Sequence, residues 1–258
     1  MAIWNKRVSP FDVPAWIARH HAHPGRPPPG FNHFSMNPGF NAYEGVEYAW
    51  QLSETLGEFL ERLPPATTSQ SPTRPWIYIC NPFIPRVPKL QAESQSMPLN
   101  EDEAPSEVSS KPMLVAQGGL ERLRLMTELS DMLRARGGNI SAIEKGVNKE
   151  RKEAVADILM LSHAARVCTG KWMLFCHPGE VNDIWSAVAR ATAFNQLGIA
   201  AKVAPKPEDG DSQKDRLICV YTRDFQDKED MGRVLQKLRE LRLVEARGKP
   251  IYYKPGSY

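Results

Sequence analysis

Cysteine is scarce and scattered in this chain. Its four residues, Cys80, Cys168, Cys176 and Cys219, include no C-x-x-C pair. That spacing argues against a dithiol redox motif or a zinc framework, and three of the four lie in apolar strand-like runs, the habit of small buried hydrophobes in a reducing compartment. Long apolar runs are missing too: nothing approaches the ~20 residues of a membrane span. The opening "MAIWNKRVSP" lacks the apolar core of a signal peptide. The expectation is a protein inside the cell, in the cytoplasm or nucleus, with no membrane partner. Charge bias is weak, since 33 Lys and Arg against 30 Asp and Glu leave +3. That balance permits an anionic partner without pointing to one. No internal repeat is evident.

A phosphate-cradling loop is absent as well. The motif G-x-x-x-x-G-K-[ST] needs glycines where the backbone bends and a hydroxyl after the lysine. Around Gly170-Lys171 the first glycine position holds Ala165 and the hydroxyl position Trp172. The run from Trp172 to Cys176 is short, apolar and aromatic. It reads as a strand over 171–176 buried on both faces or nearly so, stopped by His177-Pro178-Gly179.

What is present is an alternation of helical and strand patterns. Residues 1–41, with "HAHPGRPPPG" at their centre, read as a proline-rich extended arm laid over the body by Trp4, Phe11 and Trp16. Residues 42–258 read as a single domain. Val46, Trp50, Leu56, Phe59, Leu60 and Leu63 predict a helix over 43–63 that Pro64-Pro65 ends. "PWIYICNPF", 75–83, predicts a strand, and 84–113 a long mobile loop open to phosphorylation. A helix over 118–136 should bury Leu120, Leu123, Met126, Leu129 and Leu133. A capping box Ser141-x-x-Glu144 should start the next helix, weakened early by Gly146. A helix over 182–196 should turn Ile184, Trp185, Val188 and Ala191 inward, with Gly198 in the left-handed cap. Strands over 199–204 and 217–222 come next, then a helix capped by Asp227, and "KPIYYKP" as the last strand. The fold class is α+β, a mainly antiparallel sheet with helices gathered on one face.

Candidate chemistry is thin. His20, His21 and His23 sit among prolines without cysteine partners, a poor metal set. Cys176 and His177, adjacent on a strand, point to opposite faces and cannot readily act as nucleophile and base. Trp172 and Trp185 read as core. Asp224, Asp227, Glu229 and Asp230 read as capping, and Lys145, Lys149, Arg151 and Lys152, interleaved with acids, as a solvated face. Lys202, Lys206, Lys214 and Arg216 flank one loop and could meet an anion, and Trp76 opens a strand beside a proline-rich loop.

The segments "LERLPPATT", "PWIYICNP", "GKWMLFCHPGEVNDIW", "LGIAAKVA", "DRLICVYTRDFQDKEDMGRVLQKLREL" and "KPIYYK", in this order, resemble the eukaryotic basophilic-leukaemia-expressed protein family, a domain family of unknown function, in its fungal form. The resemblance covers roughly residues 43 to 254 and implies the fold of the mRNA cap-binding translation initiation factor 4E, a curved antiparallel sheet backed by helices. It also implies a further strand-rich tail, where this chain ends at Tyr258. Cap-binding relatives of that fold clamp a methylated guanine between two tryptophans and grip its phosphates with an arginine and a lysine. This chain has no tryptophan between its first strand and Lys171, and the arginine position falls at or near Ala204, with Lys202 and Lys206 the nearby cations.

The expectation is therefore a non-enzymatic binding module without cofactor or metal, recognising a nucleotide, an RNA end or a protein. Trp76 would stack, and Lys202, Lys206 and Arg216 would hold phosphate. The alternative is a protein-interaction adaptor working through the proline-rich arm and the acidic, Ser-rich loop.

Overall fold

The structure is a computed structural model that describes residues 11–19, 39–88, 104–208, 213–245 and 251–256. The histidines of the arm, Trp4 and the middle of the 84–113 loop lie outside those residues. Described helices are α1 (Val13–Arg19), α2 (Leu56–Arg62), α3 (Pro112–Ala135), α4 (Ile140–Ala164), α5 (Val181–Ala193) and α6 (Lys228–Glu240). The strands are β1 (Ile77–Cys80), β2 (Gly170–Cys176), β3 (Ala200–Val203), β4 (Arg216–Thr222) and β5 (Tyr252–Pro255). Where a single domain over 42–258 was expected, the chain divides into two compact units. One holds α1, α3 and α4; the other holds the strands and α2, α5 and α6. Among the described residues no helix is long and apolar enough to cross a membrane.

The sheet unit is α+β. Its strands lie in the order β1-β3-β4-β2-β5, every neighbouring pair antiparallel. Alternation divides their side chains between two faces. One face carries Ile77, Ile79, Ala201, Val203, Ile218, Val220 and Leu174, which pack against Phe59 of α2, Trp185 and Val188 of α5, and Val234 and Leu238 of α6. Each fully buried aliphatic residue there contributes roughly 1.5–3 kcal/mol. The opposite, front face carries Tyr78, Cys80, Ala200, Cys219 and Tyr221, covered over β1 and β3 by Ala42, Tyr43, Val46 and Ala49.

That cover corrects the helix expected over 43–63. Only Leu56–Arg62 is α-helical, started by a capping box between Thr55 and Glu58. Upstream, side chains capture the backbone that a helix would need. The Gln51 amide donates to the carbonyls of Tyr43, Val46 and Ala49, and Asn41 donates to Trp50. Gly45 takes a left-handed φ of 77°. Freed from a helix, the chain runs parallel beside β1, with Trp50 N–H donating to the Tyr78 carbonyl.

In the helical unit, the segment expected as an extended arm holds α1. Pro14 falls in its first turn, where no hydrogen bond is lost, and the Asp12 carboxylate accepts from Ala15 N–H. Trp16 is buried, donates through its indole N–H to Glu121 at 2.7 Å, and packs with Val13 and Leu161. The α3 face is rotated from the expected leucine stripe. Val115, Gly118, Arg122 and Ser130 are buried, while Leu120 and Leu123 are exposed. Gly118 decides this, because a Cβ there would meet Leu161 and Trp16. Arg122 adds to it, reaching Asp157 at 2.7 Å and Glu150 at 2.6 Å from a buried position. The α4 cap is Asn139, whose side chain accepts from Ser141 N–H, in place of the expected Ser141 box, and Gly146 does not interrupt the helix.

After α5 the left-handed residue is Asn195, with φ 57°, and not Gly198. Glycine is needed at 198 for another reason: a Cβ would meet the Tyr221 carbonyl oxygen of β4.

Candidate functional site

The candidate site is the front face of the sheet, built by register. In β3, Lys202 pairs across to Tyr78 of β1 and to Cys219 of β4. Parity therefore puts Lys202 on the same face as Trp76 and Tyr221. Its ammonium stands 3.8 Å from the Trp76 ring centroid and 6.0 Å from that of Tyr221, and Lys171 Nζ lies 5.9 Å from Tyr221. The result is a ladder of cation and ring: Trp76, Lys202, Tyr221, Lys171. A buried ammonium over an indole is favoured by the ring quadrupole, more so when desolvated.

Of the residues expected to bind, Trp76 and Lys202 meet, in a role other than the one anticipated. Lys202 is 1% exposed and holds one face of the Trp76 ring, so it is a core cation and the ring face is taken. Lys206 is exposed just past β3; its backbone exchanges bonds with Thr68 and Gln70. Arg216 is buried at the start of β4 with the parity of Ile218, on the helix-covered face, and its Nη1 donates to the Lys214 carbonyl at 2.7 Å. The expected quartet therefore forms no common site.

Toward β1 the front face is closed. Tyr43 stacks on Tyr78 with ring centroids 4.8 Å apart. Burial, reinforced by Tyr78 and Cys80, raises the Tyr43 pKa well above that of a free phenol, so its hydroxyl stays neutral. Toward β5 the face is open. Met173 of β2 pairs with Tyr252 of β5, and Lys171 with Lys254. Tyr252 is 57% exposed, Phe175, two residues beyond Met173, is 43% exposed, and Lys254 is exposed. Two accessible rings beside two paired lysines on a hydrogen-bonded sheet can stack flat unsaturated groups and neutralise phosphates.

Sequence reasoning missed this half because "KWMLFC" reads as uniformly buried. The structure alternates it: Trp172 turns to the helices, its indole N–H donating to the Met231 carbonyl, while Lys171, Met173 and Phe175 turn to the front. Lys171 was the available signal, a charge in phase with Met173 and Phe175.

Nucleophilic chemistry finds no support at Cys176 or Cys80. Burial pushes their thiols up to about 12 and about 11. Cys176 Sγ donates to the Arg216 carbonyl, and His177 Nδ1 accepts from Gly179 N–H. A family model described as basophilic leukemia-expressed protein Bles03 matches residues 4–258.

Proposed function

The chain belongs to the basophilic leukemia-expressed protein family, and from that premise we propose that it is a non-enzymatic binding module that takes single-stranded RNA or a nucleotide on the open half of its front sheet face. Tyr252 and Phe175 stack bases there, and Lys171 and Lys254 hold phosphates. The observation that carries this reading is the exposure of both rings on one face, beside a cross-strand pair of lysines. We also read the sheet as 4E-like and the chain as the fungal form of its family, on the sequence motifs it shares with that family. A cap clamp of two indoles is not part of this reading: among the described residues Trp76 is the one tryptophan in the front-face cluster, and Lys202 lies over it.

Fluorescence anisotropy with a labelled single-stranded oligoribonucleotide tests it. Tyr252→Ala and Phe175→Ala should each weaken binding by about 1–3 kcal/mol. Joint substitution of Lys171 and Lys254 by alanine should flatten the salt dependence of log K by about 1.4, two phosphates at about 0.7 each. Absence of salt-dependent binding by the unaltered protein at low ionic strength would exclude the reading.

A further inference from the structure

Arg86 lies beyond β1 in the sheet unit and is 8% exposed. A guanidinium keeps its proton at any physiological pH, and burying an ion is costly unless hydrogen bonds and an opposite charge replace its water. Here they do not. Its Nε and Nη1 are buried with no acceptor, and no ion pair joins Arg86 to a carboxylate among the described residues. Burial lowers its pKa; Glu107 and Cys168 oppose the shift, but Arg223 adds to it. The charge of the exposed Arg223 disfavours that of the buried Arg86, and an anion would favour both.

Arg86 follows β1, whose last residue Cys80 pairs with Ala200, itself opposite Tyr221, so the chain leaves β1 toward Arg86 at the sheet end that holds Gly170 and Thr222. Val87 N–H donates to the Ser106 carbonyl at 3.0 Å, and Phe225 N–H to the Cys168 carbonyl at 2.7 Å. Gly170 pairs with both Thr222 and Pro255, so the strand ends that carry Lys171 and Lys254 are the ones that meet Cys168 and Arg223. Lys171 and Lys254 thus lie at the end that leads to Arg223 and Asp224, Tyr252 stands beside Met173 in mid-sheet, and Phe175 lies toward the opposite end of β2, so a strand crossing both rings would run toward the arginines.

We propose that Arg86, assisted by the exposed Arg223, is the receiving group for a phosphate monoester: the terminal phosphate of a nucleotide or of an RNA strand lying across Tyr252 and Phe175. A phosphate suits two arginines better than a carboxylate does, because it offers three acceptor oxygens and nearly two charges to their planar forks. The source of the phosphate rests on the proposed RNA and nucleotide binding; the anion site does not.

The test uses the full chain and a hexanucleotide in three forms, phosphorylated at the 5′ end, at the 3′ end or at neither. AMP, adenosine and inorganic pyrophosphate are run beside them in thermal-shift titrations. One phosphorylated end should bind about ten- to a hundredfold tighter than the strand with two hydroxyl ends, the worth of charge-assisted hydrogen bonds. Arg86→Gln should abolish that ratio while leaving hydroxyl-ended binding within about twofold of the unaltered protein. Arg223→Gln, at an exposed position, should reduce the ratio in part. AMP stabilisation lost in Arg86→Gln with no strand preference would identify the free nucleotide as the source. Stabilisation by pyrophosphate that depends on Arg86, with no RNA or nucleotide bound, would keep the anion site and remove the reading of the platform. Equal affinity for all three strands, with no thermal response to AMP or pyrophosphate, would overturn the inference.

Discussion

Gly198 and Gly119 carry opposite instructions. A Cβ at Gly198 meets the Tyr221 carbonyl, backbone of the central strand and unable to swing aside, whereas a Cβ at Gly119 on α3 finds nothing within 4 Å. Gly198→Ala should therefore cost ~2 kcal/mol or more, and Gly119→Ala should stabilise by about 0.5–1 kcal/mol through helix propensity. Urea denaturation of both variants reads the two signs; a neutral Gly198→Ala would show that residue 198 does not pack closely on β4. Lys202 teaches a related lesson. Within "IAAKVA" a lysine reads as an exposed cation, but its position on the pleat is fixed by pairing with Tyr78, and the ring that receives it comes from the entry to β1. No local property of residues 199–204 announces that partner.

Among elements, the short α2 shows how a strong apolar pattern can mislead. Val46, Trp50 and Phe59 keep helical spacing, yet Gln51 spends its amide on three carbonyls upstream and the helix waits for Thr55. The Thr55 hydroxyl accepts from Glu58 N–H while the Glu58 carboxylate accepts from Thr55 N–H at 2.7 Å. Thr55→Ala should cost about 1 kcal/mol, measured as a lower urea midpoint with an unchanged m-value; no loss would mean that packing of Phe59 alone sets where α2 begins. The capping pair T-x-x-E is present in the sequence, but the longer apolar periodicity runs through it and masks it. β2 is the same case in strand form, since an apolar run hides its alternation until β4 and β5 supply the register.

At the scale of the molecule, the α+β class, the five strands and the helices behind them were legible, because turn residues and apolar periods mark elements locally. The division into two units was not, since it depends on which long-range contacts form between segments distant in the chain. The candidate site obeyed the same rule. Trp76 and Lys202 stood out as residue types, but the open face needs Tyr252 and Lys254 brought beside Met173 and Lys171, a pairing across some eighty residues of sequence.

Amide chemical-shift mapping by NMR during titration with a short single-stranded oligoribonucleotide probes the central claim most directly. Perturbations should concentrate on Lys171, Met173 and Phe175 of β2 and on Tyr252 and Lys254 of β5, with α5 and α6 unmoved. Shifts confined to those helices, or none at saturating RNA in low salt, would contradict it.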